Sequence, residues 1–184
     1  MKATGVVRRI DDLGRIVIPK EIRKTLRIKE GDPLEIFTDK EGEVILKKYS
    51  PIGELSEFAT TYAETLAKTT GHIACITDKD TVIAVSGGSK KEFLEQGLSK
   101  QLEEVLENKE IYSSSDNNEI ALPITENDNK EKKYNAQVIY PIVCQGDVIG
   151  SVILLAKEQN TKMGESEFKV VQSAAGFLGS QMDI

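Results

Sequence analysis

The first 50 residues alternate short β-branched runs with charged and turn-forming residues. Runs at residues 6–7 and 16–18 predict two strands joined by a turn, and Pro19 then opens a short helix at a position where its missing N–H costs little. Runs at residues 34–37 and 44–46 predict a hairpin. A β-β-α-β-β unit of this size buries too little apolar surface to be stable alone, so we expect two copies to combine as a homodimer.

From residue 55 the apolar spacing becomes helical, with an apolar stripe over residues 55–66, and Gly71 is expected to end the helix. Two strands are predicted at residues 72–78 and 81–86. Ser89 is then expected to cap a single helix. That helix would carry Phe93, Leu94, Leu98, Leu102, Val105 and Leu106.

The strongest strand patterns are at residues 136–143 and 148–155, and a closing helix follows them. Small residues at positions 173–176 and at Gly179 of that helix would let another helix approach closely. Together with the stripe at residues 55–66, they predict a helix–helix contact between chains, and hence a homotetramer. The apolar positions of the closing helix are Phe168, Val171, Ala175, Leu178 and Met182.

Pro51 and Gly53 interrupt regular structure between these two patterns. We therefore predict a first domain over residues 1–50, a linker over residues 51–54 and a second domain over residues 55–184. The predicted fold class is α+β.

Charge divides along the same boundary. The net charge is −6, but residues 1–48 hold 12 Lys and Arg against 9 Asp and Glu, a net of +3. A local cationic surface in an acidic protein indicates a polyanionic partner such as nucleic acid, whereas a solvated helix face is the simpler alternative. In the helix, i, i+3, i+4 and i+7 spacing places four of the cations on one face. The cations of this stretch are Lys2, Arg8, Arg9, Arg15, Lys20, Arg23, Lys24 and Arg27.

Other chemistry is poorly supported by the residue types. Cys75 and Cys144 are far apart and His72 is the only histidine, so a metal site or a catalytic relay cannot be assembled from them. We predict no catalytic residue, no metal and no cofactor. With no apolar stretch of membrane-spanning length and no leader pattern, we expect no membrane partner and a cytoplasmic, nucleoid-associated location.

The N-terminal residues also carry a family resemblance. Five stretches resemble the AbrB-type transition-state regulator domain, namely MKxTGxVR at residues 1–8, DxLGRIVIP at 11–19, EIRKTL at 21–26, DxLEI at 32–36 and ILKKY at 45–49. The resemblance implies an interlocked dimer, a swapped-hairpin β-barrel, that grips double-stranded DNA with arginines. Arg8, Arg15 and Arg23 match DNA-contacting positions of that family. Lys24 stands where a family relative has arginine, so it would keep the charge without the bidentate fork.

The second domain resembles a GAF domain, an antiparallel sheet flanked by helices. The most similar segments are YPIV at residues 140–143 and GDVIGSV at 146–152. GAF domains are sensor modules, so the resemblance implies a pocket for an unidentified small molecule, with assembly alone as the alternative. The motif of the cyclic-nucleotide-binding branch is missing from the sequence.

The two domains in this order are similar to the sporulation regulators of spore-forming bacteria. That resemblance implies a transcriptional regulator that activates some genes and represses others in the developing spore. An antitoxin is a second possibility for the first domain, although about 130 residues of folded pattern follow where antitoxins carry a short tail. An enzyme is a third, and it lacks a nucleophile motif.

Overall fold

A computed structural model describes residues 5–52, 56–114, 121–128 and 134–182. The chain separates into two compact units, Met1–Tyr49 and Ser50–Ile184, which we call unit 1 and unit 2. The predictions made for Lys2 and for residues 53–55 lie outside the described residues. Among the helices in the described ranges, none has the length and apolar character needed to cross a membrane.

Unit 1 contains one short helix and one hairpin. The hairpin prediction is confirmed, with Ile36 opposite Leu46 in an antiparallel pair. Asp39 builds its turn, because Oδ1 accepts hydrogen bonds from the backbone N–H groups of Glu41 at 3.0 Å and Glu43 at 2.8 Å. The elements are α1 (Lys20–Thr25), β1 (Leu34–Thr38) and β2 (Val44–Lys48).

The two further strands predicted at residues 6–7 and 16–18 are wrong for the single chain. Neither segment forms a strand in the described part of unit 1. A strand needs a neighbouring strand for its backbone N–H and C=O groups, and neither segment is paired in a sheet within the described residues. Their side chains are also left in solvent, with Val7 88% and Val17 72% exposed.

Unit 1 has no apolar core of its own. Pro19 is the only buried residue between residues 5 and 49. An ordinary soluble domain buries most of its large apolar side chains. Unit 1 instead exposes Val6, Val7, Ile10, Leu13, Ile16, Val17, Leu26, Ile36, Phe37, Val44, Leu46 and Tyr49.

Unit 2 is a five-stranded antiparallel sheet with helices on both faces, as the fold class predicted. The strand order is β4-β3-β7-β6-β5. Its elements are α2 (Ser56–Thr70), β3 (Ile73–Thr77), β4 (Val82–Ser86), α3 (Lys90–Phe93), α4 (Lys100–Glu107), β5 (Tyr112–Ser114), β6 (Ala136–Cys144), β7 (Asp147–Ala156) and α5 (Glu165–Gln181).

Alternation along the strands sorts the sheet's side chains into two cores. In β7, Val152 and Leu154 belong to the core shared with α2 and α5. Ile153 and Leu155 belong to the core shared with α3, α4, residues 121–124 and Tyr134. Burial on both faces explains why the sequence of β7 is a continuous apolar run rather than an alternating one.

The single helix expected after Ser89 is divided in two. The first helix ends at Phe93, after which Leu94 is extended and Glu95 takes a left-handed conformation with φ of 60°. The backbone then pairs with β4, where Glu95 N–H donates to the Val82 carbonyl at 2.9 Å. Ser89 makes no side-chain cap, whereas Ser99 accepts from the N–H of Leu102 at 3.1 Å and caps α4. The apolar residues keep their helical spacing across the break between α3 and α4, so this spacing alone does not reveal the break.

Three of the small residues of the closing helix pack within their own chain, and the contact between chains expected of this helix stays a prediction. Ala174, Ala175 and Gly179 are buried on α5. Gly179 lies against the backbone of Val143 in β6, where an added Cβ would overlap the Val143 carbonyl oxygen. Gly176 is exposed and has no atom within 4 Å of such a Cβ. Gly179 therefore lets α5 pack closely on its own sheet.

Candidate nucleic-acid interface

Helix α1 presents three of the predicted cations to solvent. Lys20, Arg23 and Lys24 are all exposed, and the helix buries none of its residues. Arg27 does not continue this face, because α1 ends at Thr25 and Arg27 adopts a left-handed φ of 53°. The i+7 position expected for Arg27 is thus wrong, since six residues do not form two full turns.

Arg8 and Arg9 lie in the extended segment that precedes the turn at residues 11–14, and both are exposed. Within the described residues, Arg8, Arg9, Lys20, Arg23 and Lys24 form no ion pair. Exposed cations without a protein counter-ion repel one another, and a phosphate backbone would neutralise them.

Arg15 differs from the other cations because an acid holds it. Its Nε donates to Oδ2 of Asp11 at 2.8 Å, and its backbone N–H donates to Oδ1 of the same carboxylate at 2.7 Å. The hydrogen bond from the Arg15 backbone, followed by that from its guanidinium, holds the pKa of Asp11 below its ordinary value. The Arg15 side chain remains 68% exposed.

A second acid fixes the chain where it leaves α1. Asp32 accepts from the N–H of Lys29 at 2.7 Å and pairs with the ammonium of Lys48 at 2.9 Å. Lys48 also donates to the backbone carbonyl of Arg27 at 3.2 Å. This arrangement ties the end of β2 to the exit of the basic helix. Both side chains are largely buried, at 17% and 21% exposed, so the pair is better shielded from solvent than a surface ion pair.

Asp32→Asn is expected to lower the free energy of unfolding of unit 1 by about 1 kcal/mol at pH 7. Burial of Asp32 favours a raised pKa, but the Lys29 N–H and the Lys48 ammonium outweigh it, and the pKa lies below the ordinary value. A carboxyl with a lowered folded pKa stabilises fully above its unfolded pKa of about 4, and this contribution disappears as pH falls through the folded pKa. Urea unfolding followed by circular dichroism at pH 7 and near pH 2.5 measures both regimes.

The parent and Asp32→Asn should therefore differ at pH 7 and converge in acid. Glu30→Gln is the matched control, since Glu30 is an exposed carboxylate two residues away. A difference between parent and Asp32→Asn that persists undiminished in acid would contradict the assigned role of the Asp32 charge.

Asp11, Asp32 and Lys48 were missed as parts of this site. The signal for Asp11 was present in the sequence, because an aspartate that precedes Leu-Gly-Arg by two residues favours an Asx turn closed by glycine. No comparable signal existed for Lys48, which is 21 residues from Arg27 along the chain. That contact depends on the hairpin returning β2 to the helix.

Both units match families of known proteins. Residues 54–183 match the family described as Stage V sporulation protein T C-terminal, transcription factor. Residues 7–54 match the family described as antidote-toxin recognition MazE, bacterial antitoxin. The solved GAF domain of PixJ from Thermosynechococcus elongatus covers 72% of this chain and 87% of its own, with a TM-score of 0.58 and 16% identity. At that identity the likeness shows the fold alone, and it confirms the GAF architecture of unit 2.

Two curated relatives from Bacillus subtilis (strain 168) extend the comparison. The transition state regulatory protein AbrB is 61% identical over 51 residues, which are 28% of this chain and 52% of AbrB. Stage V sporulation protein T is 52% identical over 183 residues, covering 100% of this chain and 99% of the relative. The chain combines a basic, AbrB-like unit 1 with a unit 2 of the GAF fold, and the similarity to this relative extends over its full length. The chain therefore belongs to the stage V sporulation protein T family of transcription factors.

Proposed function

We propose that this chain regulates transcription during sporulation by gripping double-stranded DNA with a dimer of unit 1. The observation that carries the proposal is the set of exposed cations on α1 and residues 8–9 without ion-pair partners among the described residues, in a chain of net charge −6. Such an arrangement attracts phosphate, whereas the acidic remainder of the protein and the phosphate backbone repel each other. Membership of a transcription-factor family supports the proposal.

Dimerisation of unit 1 is supported by its exposed apolar side chains. The hairpin and the segments at residues 6–7 and 16–18 expose large apolar side chains. A second copy that inserts its own segments would bury this apolar surface and extend the strand pairing, giving an interlocked swapped-hairpin barrel. We assign residues 1–50 to this domain, residues 51–54 to the linker and residues 55–184 to the GAF-like domain.

The arginines divide into two proposed roles. Arg8, Arg15 and Arg23 match the DNA-contacting positions of the AbrB-type domain, and their guanidinium groups offer a planar fork of donors, so they are the candidates for bidentate contacts with base edges and phosphates. The remaining cations would contact phosphates and set the affinity. With a basic helix of only six residues, selectivity would depend strongly on DNA shape, and the target sequence would be degenerate. The phosphate-contacting group is Arg9, Lys20, Lys24, Arg27 and Lys2.

The affinity of the full chain for duplex DNA, measured by fluorescence anisotropy across a salt series, tests this function. We expect log K to fall linearly with log salt, with a slope of about −0.9 per neutralised phosphate. A sporulation promoter should bind more tightly than a random duplex of equal length. An affinity that does not change with salt would exclude the cationic surface as the binding site.

We further propose that unit 2 assembles two dimers into a tetramer. Three aromatic rings cluster on α2 and α5, where Phe177 stacks near Tyr62 at 5.8 Å and near Phe58 at 5.9 Å between ring centroids. Phe58 and Phe177 are 39% and 42% exposed. Partly exposed aromatic clusters are typical of protein–protein contacts.

Phe177→Ser is expected to convert the tetramer into a dimer, because it removes a central ring of this cluster from each contributing chain. Sedimentation velocity of the full chain measures the change. Gln172→Ala, at an exposed polar position on a different face of the same helix, should leave the mass unchanged. If Phe177→Ser sediments like the parent, assembly uses another surface.

A sensing role for unit 2 is also proposed. Buried side chains hold the segment at residues 121–128 on the sheet, where Gln137 bonds both the N–H and the carbonyl of Leu122, at 2.8 and 2.9 Å. Two buried hydroxyls, Ser114 Oγ and Thr125 Oγ1, have no hydrogen-bond partner among the described residues. A small molecule that bonds them would stabilise this side of the sheet and could set whether a promoter is activated or repressed.

Binding rather than catalysis is the proposed activity, in the cytoplasm at the chromosome. The antitoxin alternative draws support from the family matched at residues 7–54. It is weaker because that match stops where unit 2 begins, whereas the full-length relative is a sporulation protein. Co-expression with toxins would distinguish the two.

A further inference from the structure

Asp11 lies within the cationic surface and uses both of its carboxylate oxygens on one short turn. Oδ1 accepts from the backbone N–H of Leu13 at 3.0 Å and of Arg15 at 2.7 Å. Oδ2 accepts from the Arg15 side chain through Nε at 2.8 Å. The backbone closes the same turn, since Asp11 N–H donates to the Arg15 carbonyl at 3.1 Å and Gly14 N–H donates to the Asp11 carbonyl at 3.0 Å.

The ion pair leaves most of the Arg15 guanidinium available. Nε–H is one of five donors, so four N–H groups on the two terminal nitrogens remain for a ligand. A free arginine loses substantial rotamer freedom on binding. Asp11 removes part of that freedom beforehand by fixing Arg15 at both its backbone and its Nε.

We propose that Asp11 is a positioning residue for nucleic-acid binding, an acid that strengthens the interaction by holding Arg15 in its binding conformation. The inference rests on the proposed function of unit 1 and adds to it a residue whose charge has the wrong sign for the ligand. Simple electrostatics requires the opposite effect, because any acid on a phosphate-binding surface repels the ligand. The direction of the effect therefore separates positioning from net charge.

Asp12 provides the matched control. It carries the same charge one residue along the same exposed segment, and it takes no part in the hydrogen bonds of the turn. Asp11→Asn and Asp12→Asn change the net charge equally. Asparagine at position 11 keeps an acceptor for the backbone but loses the charge that pairs with Nε.

The experiment measures the affinity of the full chain for a promoter duplex at fixed salt. We expect Asp11→Asn to weaken binding about fivefold to twentyfold, and Asp12→Asn to bind as tightly as the parent or more tightly. In an Arg15→Ala background, Asp11→Asn should have no further effect, since Asp11 acts through Arg15. An Asp11→Asn variant that binds as tightly as Asp12→Asn overturns the proposal.

The double variant also separates positioning from folding. If Asp11→Asn merely destabilised unit 1, it would weaken binding equally with and without Arg15, and that result also overturns the proposal. Arg8→Ala tests the underlying function independently. If Arg8→Ala weakens binding while Asp11→Asn does not, the function stands and the role of Asp11 fails. If Arg8→Ala, Arg15→Ala and Asp11→Asn all bind like the parent, the proposed function itself fails.

Discussion

Replacing Ile36 by aspartate is expected to dissociate the dimer of unit 1 and to abolish DNA binding. Ile36 lies in the middle of β1, opposite Leu46, and is 66% exposed in the single chain. Burial of an isoleucine in the dimer would contribute about 2 kcal/mol at each of two symmetric positions. An aspartate would remove that term and add the cost of burying an unpaired charge. We therefore expect the dimer dissociation constant to rise at least about a thousandfold.

Limited proteolysis with mass spectrometry locates the damage. Cleavage within residues 5–49 should become rapid in Ile36→Asp, because a monomer of unit 1 has no core to protect it. Unit 2 has its own two cores and should stay resistant. Lys40→Asp, which places an aspartate in the exposed turn of the same hairpin, is the control and should behave like the parent. Equal resistance of Ile36→Asp and the parent would show that unit 1 is stable without a partner.

Gly150→Ala is expected to reduce the stability of unit 2 by about 3–5 kcal/mol. Gly150 lies in β7, where an added Cβ would overlap the Thr77 carbonyl oxygen and lie 3.2 Å from the Asp78 Cα. Both obstacles are backbone atoms of the neighbouring segment, so a rotamer change cannot relieve them. Separating the strands would also strain the buried hydrogen bond between Thr77 Oγ1 and Ser151 Oγ, which are 2.7 Å apart.

Gly176→Ala is the control for Gly150→Ala. At this exposed position of helix α5 the added Cβ meets no atom within 4 Å. The substitution should stabilise unit 2 by about 0.5–1 kcal/mol, because alanine has a higher helix propensity than glycine. Urea unfolding followed by tyrosine fluorescence reports on unit 2, which contains four of the five tyrosines. A Gly150→Ala variant as stable as the parent would mean that β3 and β7 can move apart without cost.

The sequence predicted those elements whose partners lie nearby. The hairpin of unit 1 and the β6–β7 pair were both predictable, because alternating or apolar runs flank a short turn. The split between α3 and α4 was not, since it depends on Glu95 pairing with Val82 of another element. The strands expected at residues 6–7 and 16–18 do not form in the single chain, and their apolar side chains are exposed. The pattern of these segments is that of a strand whose partner would come from a second copy of the chain.

The candidate site residues also divide into those that local sequence indicates and those that depend on contacts with distant parts of the chain. Charge and spacing indicated the cations of the first 27 residues as a group, and the family resemblance then marked Arg8, Arg15 and Arg23 among them. Their contact with DNA stays a prediction. The acids that organise the surface were less visible. Asp32 becomes part of the site only when β2 brings Lys48 to it at 2.9 Å. The helical face that included Arg27 was extended too far, since spacing does not reveal where a helix ends.

The affinity of the full chain for promoter DNA, compared among the parent and three single variants across a salt series, tests the central claim most directly. Arg8→Ala, Arg15→Ala and Arg23→Ala should each weaken binding by about 1–3 kcal/mol at a base-contacting position, and the salt slope should fall by about one for each phosphate that is no longer neutralised. Glu57→Ala, in unit 2 at an exposed position of α2, should bind like the parent. If all three arginine variants retain the affinity and salt slope of the parent, the cationic surface of unit 1 is a solvated face and does not bind DNA.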